Sequence, residues 1–594
     1  MAGTRQLSLR ALWAFMGPRL RAHPRLLFAL GACLAAGLAL TLTLPLLLRR
    51  FIDIALGETD GSMAAVALGF LVVALAHQVV SVAMSWVATD LSSRTTNQLR
   101  SELTDHVLSL DMSFHRRTPP GELIERVDGD VGQLGVLLSN FVPQMAQEAL
   151  LLVGVLALLF GIDPLLGGAL ATYAVLAVGV LSRLRHLGVG AWEKSREAAA
   201  KATGFQEEAL GATEDVRPNG AASHVVALFL GLNRTWFWAS NRANALSGAT
   251  TIAGLSLFGL SQVIALGIGS SLLGAGSITI GTIYLLTQYT AFLSGPIDGF
   301  TYRVRYLQQA TAAVNRVVDL AGTRSRLIEA PRPRSLPPGA LGVDFDNVDF
   351  SYEVSEAGEA GEEGATGEPV LTAVDLHVPA GRSLGLVGRT GSGKTTLGRL
   401  LARQYDISSG SLRVGGVEVR EVGLDELRNR VAVVTQEVQL FTATIRDNVS
   451  LFREIPDAEL MAVIDEVGLG QWLSTQPEGL ASELDPRSLS AGEAQLLALA
   501  RTLLRDPAVV LLDEASARLD PATEARLQSA VDRLLQGRTA VVIAHRLSTL
   551  DRVDFIGVLD HGRVVEFGPR GELTANPASE YSRLLAAYRN EVLA

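Results

Sequence analysis

Four stretches of this chain carry no Asp, Glu, Lys or Arg: 26–48, 61–89, 164–182 and 243–297. Nothing else in the sequence restricts the fold so tightly, because a charge at mid-bilayer costs at least about 2.5 kcal/mol and a spanning helix needs about 20 apolar residues. Each of the first three gaps accommodates one helix. The fourth, broken by Gly267, Gly269, Gly274 and Gly276, accommodates two joined by a turn. A further span at 138–160 contains a single charge, Glu148, which is expected to face the central cavity because a lipid-facing carboxylate is costly. Six spans are therefore expected, near 26–48, 63–88, 138–160, 164–183, 248–270 and 277–297. The Arg-rich start reads as the flank of a retained anchor, since the apolar run behind it is too long for a secretory signal.

Composition narrows the class further. With 48% hydrophobic and 19% charged residues, the chain is too apolar for a disordered or nucleic-acid-coating protein. The net charge of -10 is uneven: residues 1–320 carry +2 and residues 321–594 carry -12, so the second half would repel a phosphate polymer. The single cysteine, Cys33, excludes intrachain disulfides and thiolate metal sites.

Arginine placement predicts orientation, because cytoplasmic loops are enriched in Lys and Arg. The basic N-terminus, the loop 89–137 (Arg94, Arg100, Arg116, Arg117, Arg126) and the loop 184–247 (Arg185, Lys194, Arg196, Lys201, Arg217, Arg234, Arg242) are expected in the cytosol, and the turns near Asp163 and Gly274 outside. Arg49 and Arg50 oppose this trend, and Asp53, Glu58 and Asp60 nearby offer them local partners. Both cytosolic loops are poor in Pro and Gly except at 119–121 and 218–220, which suits helices continuing from the membrane and turning back at those breaks.

Beyond a Pro-rich linker (326–342) the pattern changes. Short β-type runs at 343–350, 383–387, 431–434, 509–512 and 540–543 alternate with helical segments, predicting an α/β domain over 343–594 behind a helical membrane domain over 1–325. Directly after the run 383–387 stands Gly388-Arg389-Thr390-Gly391-Ser392-Gly393-Lys394-Thr395, with Thr396 opening the helix behind it. This is the phosphate-loop pattern in its strand-loop-helix context. Its glycines let backbone N–H groups turn around phosphates, Lys394 neutralises the β/γ charge, and the Thr395 hydroxyl suits Mg²⁺. The run 509–512 ends in Asp513, placed to hold that Mg²⁺, and Glu514, placed to polarise an attacking water.

With these residues in view, nearly the whole chain, from about 10 to 590, resembles the ATP-binding cassette exporters built as half-transporters, six spans followed by one nucleotide-binding domain. Leu489-Ser490-Ala491-Gly492-Glu493, before a helix expected over 494–504, is similar to the family's LSGGQ signature. The resemblance implies that Ser490 and Gly492 contact the γ-phosphate of an ATP held by a second subunit. It also implies that Tyr352 stacks on adenine, that Gln436 touches Mg²⁺ and water, and that His545 contacts the γ-phosphate and orients water. Phe114-His115 with 121–126 and Asp130 resembles the first coupling-helix region, and 205–218 corresponds to the second.

Three features depart from the family pattern: Ala491 and Glu493 in the signature, Ala517 after Glu514, and a shortened segment 482–488. The acidic stretch 353–369 reads as a loop between strands. The resemblance implies ATP- and Mg²⁺-dependent export of a hydrophobic or amphipathic solute across the cell membrane by alternating access. An ATP-gated channel or an importer of the same architecture is the alternative. The partners expected are the bilayer, a small-molecule, lipid or peptide solute, and a second half-transporter. That pair is expected to be a heterodimer, because an intact catalytic set combined with an altered signature resembles the family's heterodimers. Nucleic acid is not an expected partner.

Overall fold

The computed structural model describes residues 9–353, 366–435, 438–513, 521–544 and 547–593, and divides into two units, 1–108 with 120–323 and 109–119 with 324–594.

The first unit is built of long helices. Pro24–Ala55, Met63–Ser109, the helical run Pro120–Ile162, Pro164–Gly211 and Ala222–Gly274 are each long and apolar enough to cross a membrane. A further helix, Ile280–Gly322, covers most of the expected sixth span. It starts at Ile280 and not at 277, because Thr279 caps it, its Oγ1 accepting from the Thr282 N–H at 3.2 Å. Asp163 does the same for Pro164–Gly211, accepting from the Leu166 N–H at 3.0 Å. Met63–Ser109, Pro164–Gly211 and Ala222–Gly274 run far past a bilayer's need, and the chain breaks at 118–119 and at 217–221, next to the prolines and glycines noted above. Val155, Leu159, Leu166, Leu170, Ala265, Leu285, Leu286 and Tyr289 interlock into one buried cluster. Arg49 pairs with Asp53 at 3.5 Å, and Asp53 also accepts from the Gly281 N–H at 3.1 Å. Glu148 is half-buried.

The helical run Pro120–Ile162 is interrupted by two π-type turns, Glu125–Asp130 and Leu137–Phe141. The first delivers Asp130, 1% exposed, to Arg316, whose Nε donates to Oδ2 at 2.8 Å. That hydrogen bond holds the Arg316 guanidinium above its ordinary range.

Among the described residues, the second unit holds three sheets. Its strands are β1 (Val343–Glu353), β2 (Thr366–Val378), β3 (Ser383–Gly388), β4 (Ser409–Val414), β5 (Val417–Glu418), β6 (Val431–Val434), β7 (Ala443–Thr444), β8 (Glu483–Leu484), β9 (Val509–Asp513), β10 (Thr539–Ile543), β11 (Phe555–Asp560) and β12 (Arg563–Pro569). A four-stranded antiparallel sheet runs β2-β1-β4-β5, a six-stranded sheet runs β12-β11-β3-β10-β9-β6, and β7 pairs with β8. In the large sheet β11, β3, β10, β9 and β6 are parallel, with β12 antiparallel at the edge. Continuous apolar runs such as Leu384-Gly385-Leu386-Val387 and Ala540-Val541-Val542-Ile543 are what a parallel sheet covered on both faces demands. Residues 366–369, expected in the acidic loop, belong to β2; the register carries Glu353 opposite Thr366.

Candidate functional site

The nucleotide site grows from the end of β3. Gly388 closes the strand at φ +154°, where a Cβ would come 2.1 Å from the Leu559 carbonyl oxygen of the neighbouring β11, so only glycine lets the chain leave the sheet here. At the loop's other end Gly393 adopts φ +104°, and a Cβ there would meet a Leu371 methyl at 2.6 Å. The helix that follows spans Lys394–Leu401, two residues earlier than the expected start at Thr396, because Gly393 takes the N-cap position in a left-handed conformation. Arg389, Thr390, Gly391 and Thr395 are exposed, whereas Ser392, Lys394 and Thr396 are buried.

Lys394 Nζ donates to the carbonyls of Gly388 (2.7 Å) and Arg389 (2.9 Å). Burial pulls its ammonium below the ordinary lysine range, and the Asp513 carboxylate at the end of β9 pushes it back up. Asp513 sits opposite Ile543 of β10 in the centre of the parallel sheet, at its carboxyl edge, where open α/β sheets bind ligands.

These residues fit a polyphosphate. The buried Ser392 hydroxyl has no hydrogen-bond partner inside the protein, and the loop backbone admits no side chain at its two tightest points. Among the described residues no cluster of three or more His, Cys, Asp or Glu could hold a metal alone. One carboxylate (Asp513) and one hydroxyl (Thr395) beside the phosphate loop are nevertheless a donor set that Mg²⁺ accepts when phosphate oxygens complete it. Gln436, Glu514 and His545, with Ala517, lie outside the described residues.

Tyr352 is half-buried near the end of β1. Arg399 donates to its phenol oxygen at 3.1 Å, which in turn lies 3.1 Å from Thr396 Oγ1, so the ring is tethered to the helix behind the phosphate loop. Phe350 and Tyr405 pack against it edge to face, at 4.8 and 5.3 Å between centroids.

The signature residues start a helix spanning Ala491–Leu503, three residues before the expected 494. The cause is a reciprocal cap: Glu493 N–H donates to Ser490 Oγ (3.3 Å), while the Ser490 N–H and hydroxyl both donate to Glu493 Oε2 (2.9 and 2.7 Å). Ala491 and Gly492 thus fall in the first turn, where N–H groups have no acceptor within the helix. Among the described residues no hydrogen bond joins Ser490 or Gly492 to the loop 388–396.

Sequence reasoning missed two further contributors. Arg501, on the signature helix, donates to the carbonyls of Gln439 (2.7 Å) and Asn448 (2.6 Å), bracing the segment after 436. An arginine on the apolar face of that helix was the available signal. Arg403, 1% exposed, donates to the Val422 carbonyl (3.1 Å), the Ile328 carbonyl (2.9 Å) and Asp406 (3.1 Å), fastening the linker to the sheet domain.

Comparison with known proteins decides the family. Residues 27–297 match the ABC transporter transmembrane region and residues 371–517 match the ABC transporter family. A fatty acid ABC transporter ATP-binding/permease protein of Mycobacterium bovis is 30% identical over 86% of this chain and 80% of its own length. The chain belongs to the ATP-binding cassette transporter family. A multidrug efflux ATP-binding/permease protein of Mycobacterium tuberculosis is 29% identical over 94% of this chain and 46% of its own length. A bacterial Atm1-family ABC exporter with ATP bound aligns with a TM-score of 0.75 and 26% identity, covering 95% of this chain and 98% of the other. This ABC transporter is a multi-pass membrane protein of the exporter type that binds ATP and couples its hydrolysis to transport. With one membrane region and one nucleotide-binding domain per chain, it works as a half-transporter in a dimer.

Proposed function

We propose that this ABC transporter is one half of a heterodimeric exporter that moves a hydrophobic or amphipathic solute out of the cytosol, with its nucleotide-binding domain and N-terminus on the cytosolic side. In this reading ATP lies on the loop 388–396, its base on Tyr352, its phosphates against Lys394 and the Ser392 hydroxyl. Thr395, Asp513 and Gln436 hold Mg²⁺, which when bound neutralises phosphate charge. Glu514 polarises the attacking water, which His545 orients. Ser490 and the first-turn N–H groups of Gly492 and its neighbour serve the nucleotide on the partner chain.

The observation that carries the reading is the pair of half-sites this chain offers: a phosphate loop with a buried, unpartnered Ser392 hydroxyl ahead of the helix Lys394–Leu401, and a signature helix capped so that its first turn presents N–H groups. Altered signature positions beside an intact catalytic set favour unlike partners over a homodimer. The relatives that are named for multidrug efflux and for fatty acid transport support an apolar solute. The arginine-rich loops support the orientation.

Two experiments test it. In inside-out vesicles, ATP-driven accumulation of an apolar cation or a fatty acid against its gradient is the expected result, and ATP-dependent passive flux alone would indicate a channel. Purified by itself, the chain should lack solute-stimulated ATPase until a second half-transporter is added; a stable, solute-stimulated homodimer would refute the heterodimer.

A further inference from the structure

The mechanism above leaves Arg116 unused, yet it touches the base site. Its guanidinium carbon lies over the Tyr352 ring, 4.3 Å from the centroid. The segment that carries it, 109–119, belongs to the same unit as the nucleotide site. Asp111 caps the short helix Met112–Arg117, one carboxylate oxygen accepting from the N–H groups of Ser113 (2.9 Å) and Phe114 (3.2 Å). The other oxygen accepts from the Arg326 N–H at 2.7 Å, so the segment is tied to the start of the linker. Arg116 is exposed and pairs with no carboxylate among the described residues; the ring is its anchor.

A stacked purine and a stacked guanidinium occupy the same layer above an aromatic ring. Tyr352 has little freedom to offer a different face, since its hydroxyl is held by Arg399 and Thr396 and its ring is packed by Phe350 and Tyr405. We propose that Arg116 is a displaceable plug on the base-stacking face of Tyr352, so that adenine binding must expel it from the ring. This rests on the reading of Tyr352 as the base platform. Because coupling between two sites is reciprocal, a filled base site frees the Arg116 side chain, while a guanidinium held against the ring weakens adenine nucleotides. The device acts on the base alone and leaves phosphate recognition at Lys394 and Ser392 untouched.

The test compares ADP with inorganic pyrophosphate, both with Mg²⁺, by equilibrium titration of the full chain in nanodiscs. Arg116→Gln should tighten ADP about two- to fivefold, the strength of a cation–π contact at an exposed position, and leave pyrophosphate unchanged. Tyr352→Leu should weaken ADP and leave pyrophosphate unchanged. If Tyr352→Leu weakens ADP but Arg116→Gln does not tighten it, or tightens pyrophosphate equally, the plug is refuted while the base platform stands. If Tyr352→Leu leaves ADP unaffected, the platform falls and the plug with it. Should Arg116→Gln fail to fold, Arg116→Lys replaces it with the same expected direction, because lysine keeps the charge and loses the planar stack.

Discussion

Replacing Lys394 with Ala probes how much of nucleotide binding comes from its ammonium. Hydrogen bonds to charged groups contribute about 1.5–3 kcal/mol each, so two such bonds to phosphate oxygens represent roughly 3–6 kcal/mol. That is not the affinity lost. Before nucleotide arrives the same ammonium already donates to the Gly388 and Arg389 carbonyls at 2.7 and 2.9 Å, and those bonds are given up on binding. The donor is charged in both sets of bonds, so what survives the exchange is the attraction of the ammonium for an anionic acceptor, between about 1 kcal/mol in bulk water and about 4 kcal/mol near a protein surface; roughly 1.5–3 kcal/mol lies within those bounds. Lys394→Ala should therefore weaken Mg-ATP by about tenfold to a hundredfold. The fold should hold, because Arg389 is exposed and Gly388 half-buried, and water replaces the lost donor at their carbonyls. Isothermal titration of the full chain in detergent, alongside a thermal melt, measures both quantities. Affinity within twofold of wild type would show that the ammonium does not turn to the phosphates. A loss beyond a thousandfold would show that the carbonyl bonds are not exchanged as argued.

Glu514→Gln should lower ATP turnover by about a hundredfold or more with Mg-ATP affinity unchanged, as expected for a water-polarising base, and near-normal phosphate release would remove that role. Gly393→Ala imposes φ +104° on a residue with a Cβ, a strain of about 1–3 kcal/mol, and drives that atom to 2.6 Å from Leu371, so the melting temperature and nucleotide affinity should fall together. Burial pushes the Asp554 carboxyl upward, but donation from the Ser383 N–H and hydroxyl and from Arg382 outweighs it and holds the group below the ordinary carboxylate range. A depressed folded pKa gives stability that is complete above the unfolded value of about 3.9 and lost as pH falls through the folded one. The gap in chemical stability between wild type and Asp554→Asn should accordingly be constant near neutrality and shrink below about pH 4; a gap that widens in acid would contradict the assignment.

What could be read in advance divides along physical lines. The apolar helices were legible because desolvating a charge is costly enough to leave long gaps in the sequence, and the parallel strands because burial on both faces leaves no room for alternation. Helix starts were not, since hydropathy does not see caps: Gly393, Thr279 and Ser490 each move a start by two or three residues. Arg116 on Tyr352, Asp111 on Arg326 and Arg403 on Ile328 join positions far apart in sequence through single exposed or polar side chains, which leave no periodic trace. The signature shows the same limit from the other side. In the sequence, Glu493 is one of two departures within the signature itself. In the structure it is half of a capping box, accepting from both donors of Ser490 and lying at the positive end of the helix, where an acidic side chain is favoured. A glutamine at this position serves the same box, so the change leaves the helix start intact. The alteration that distinguishes this chain's half-site is therefore Ala491, exposed at the first helical position. The heterodimer reading rests on Ala491 and the shortened approach to it, and Ala491→Gly is the substitution that isolates their effect on the partner's nucleotide.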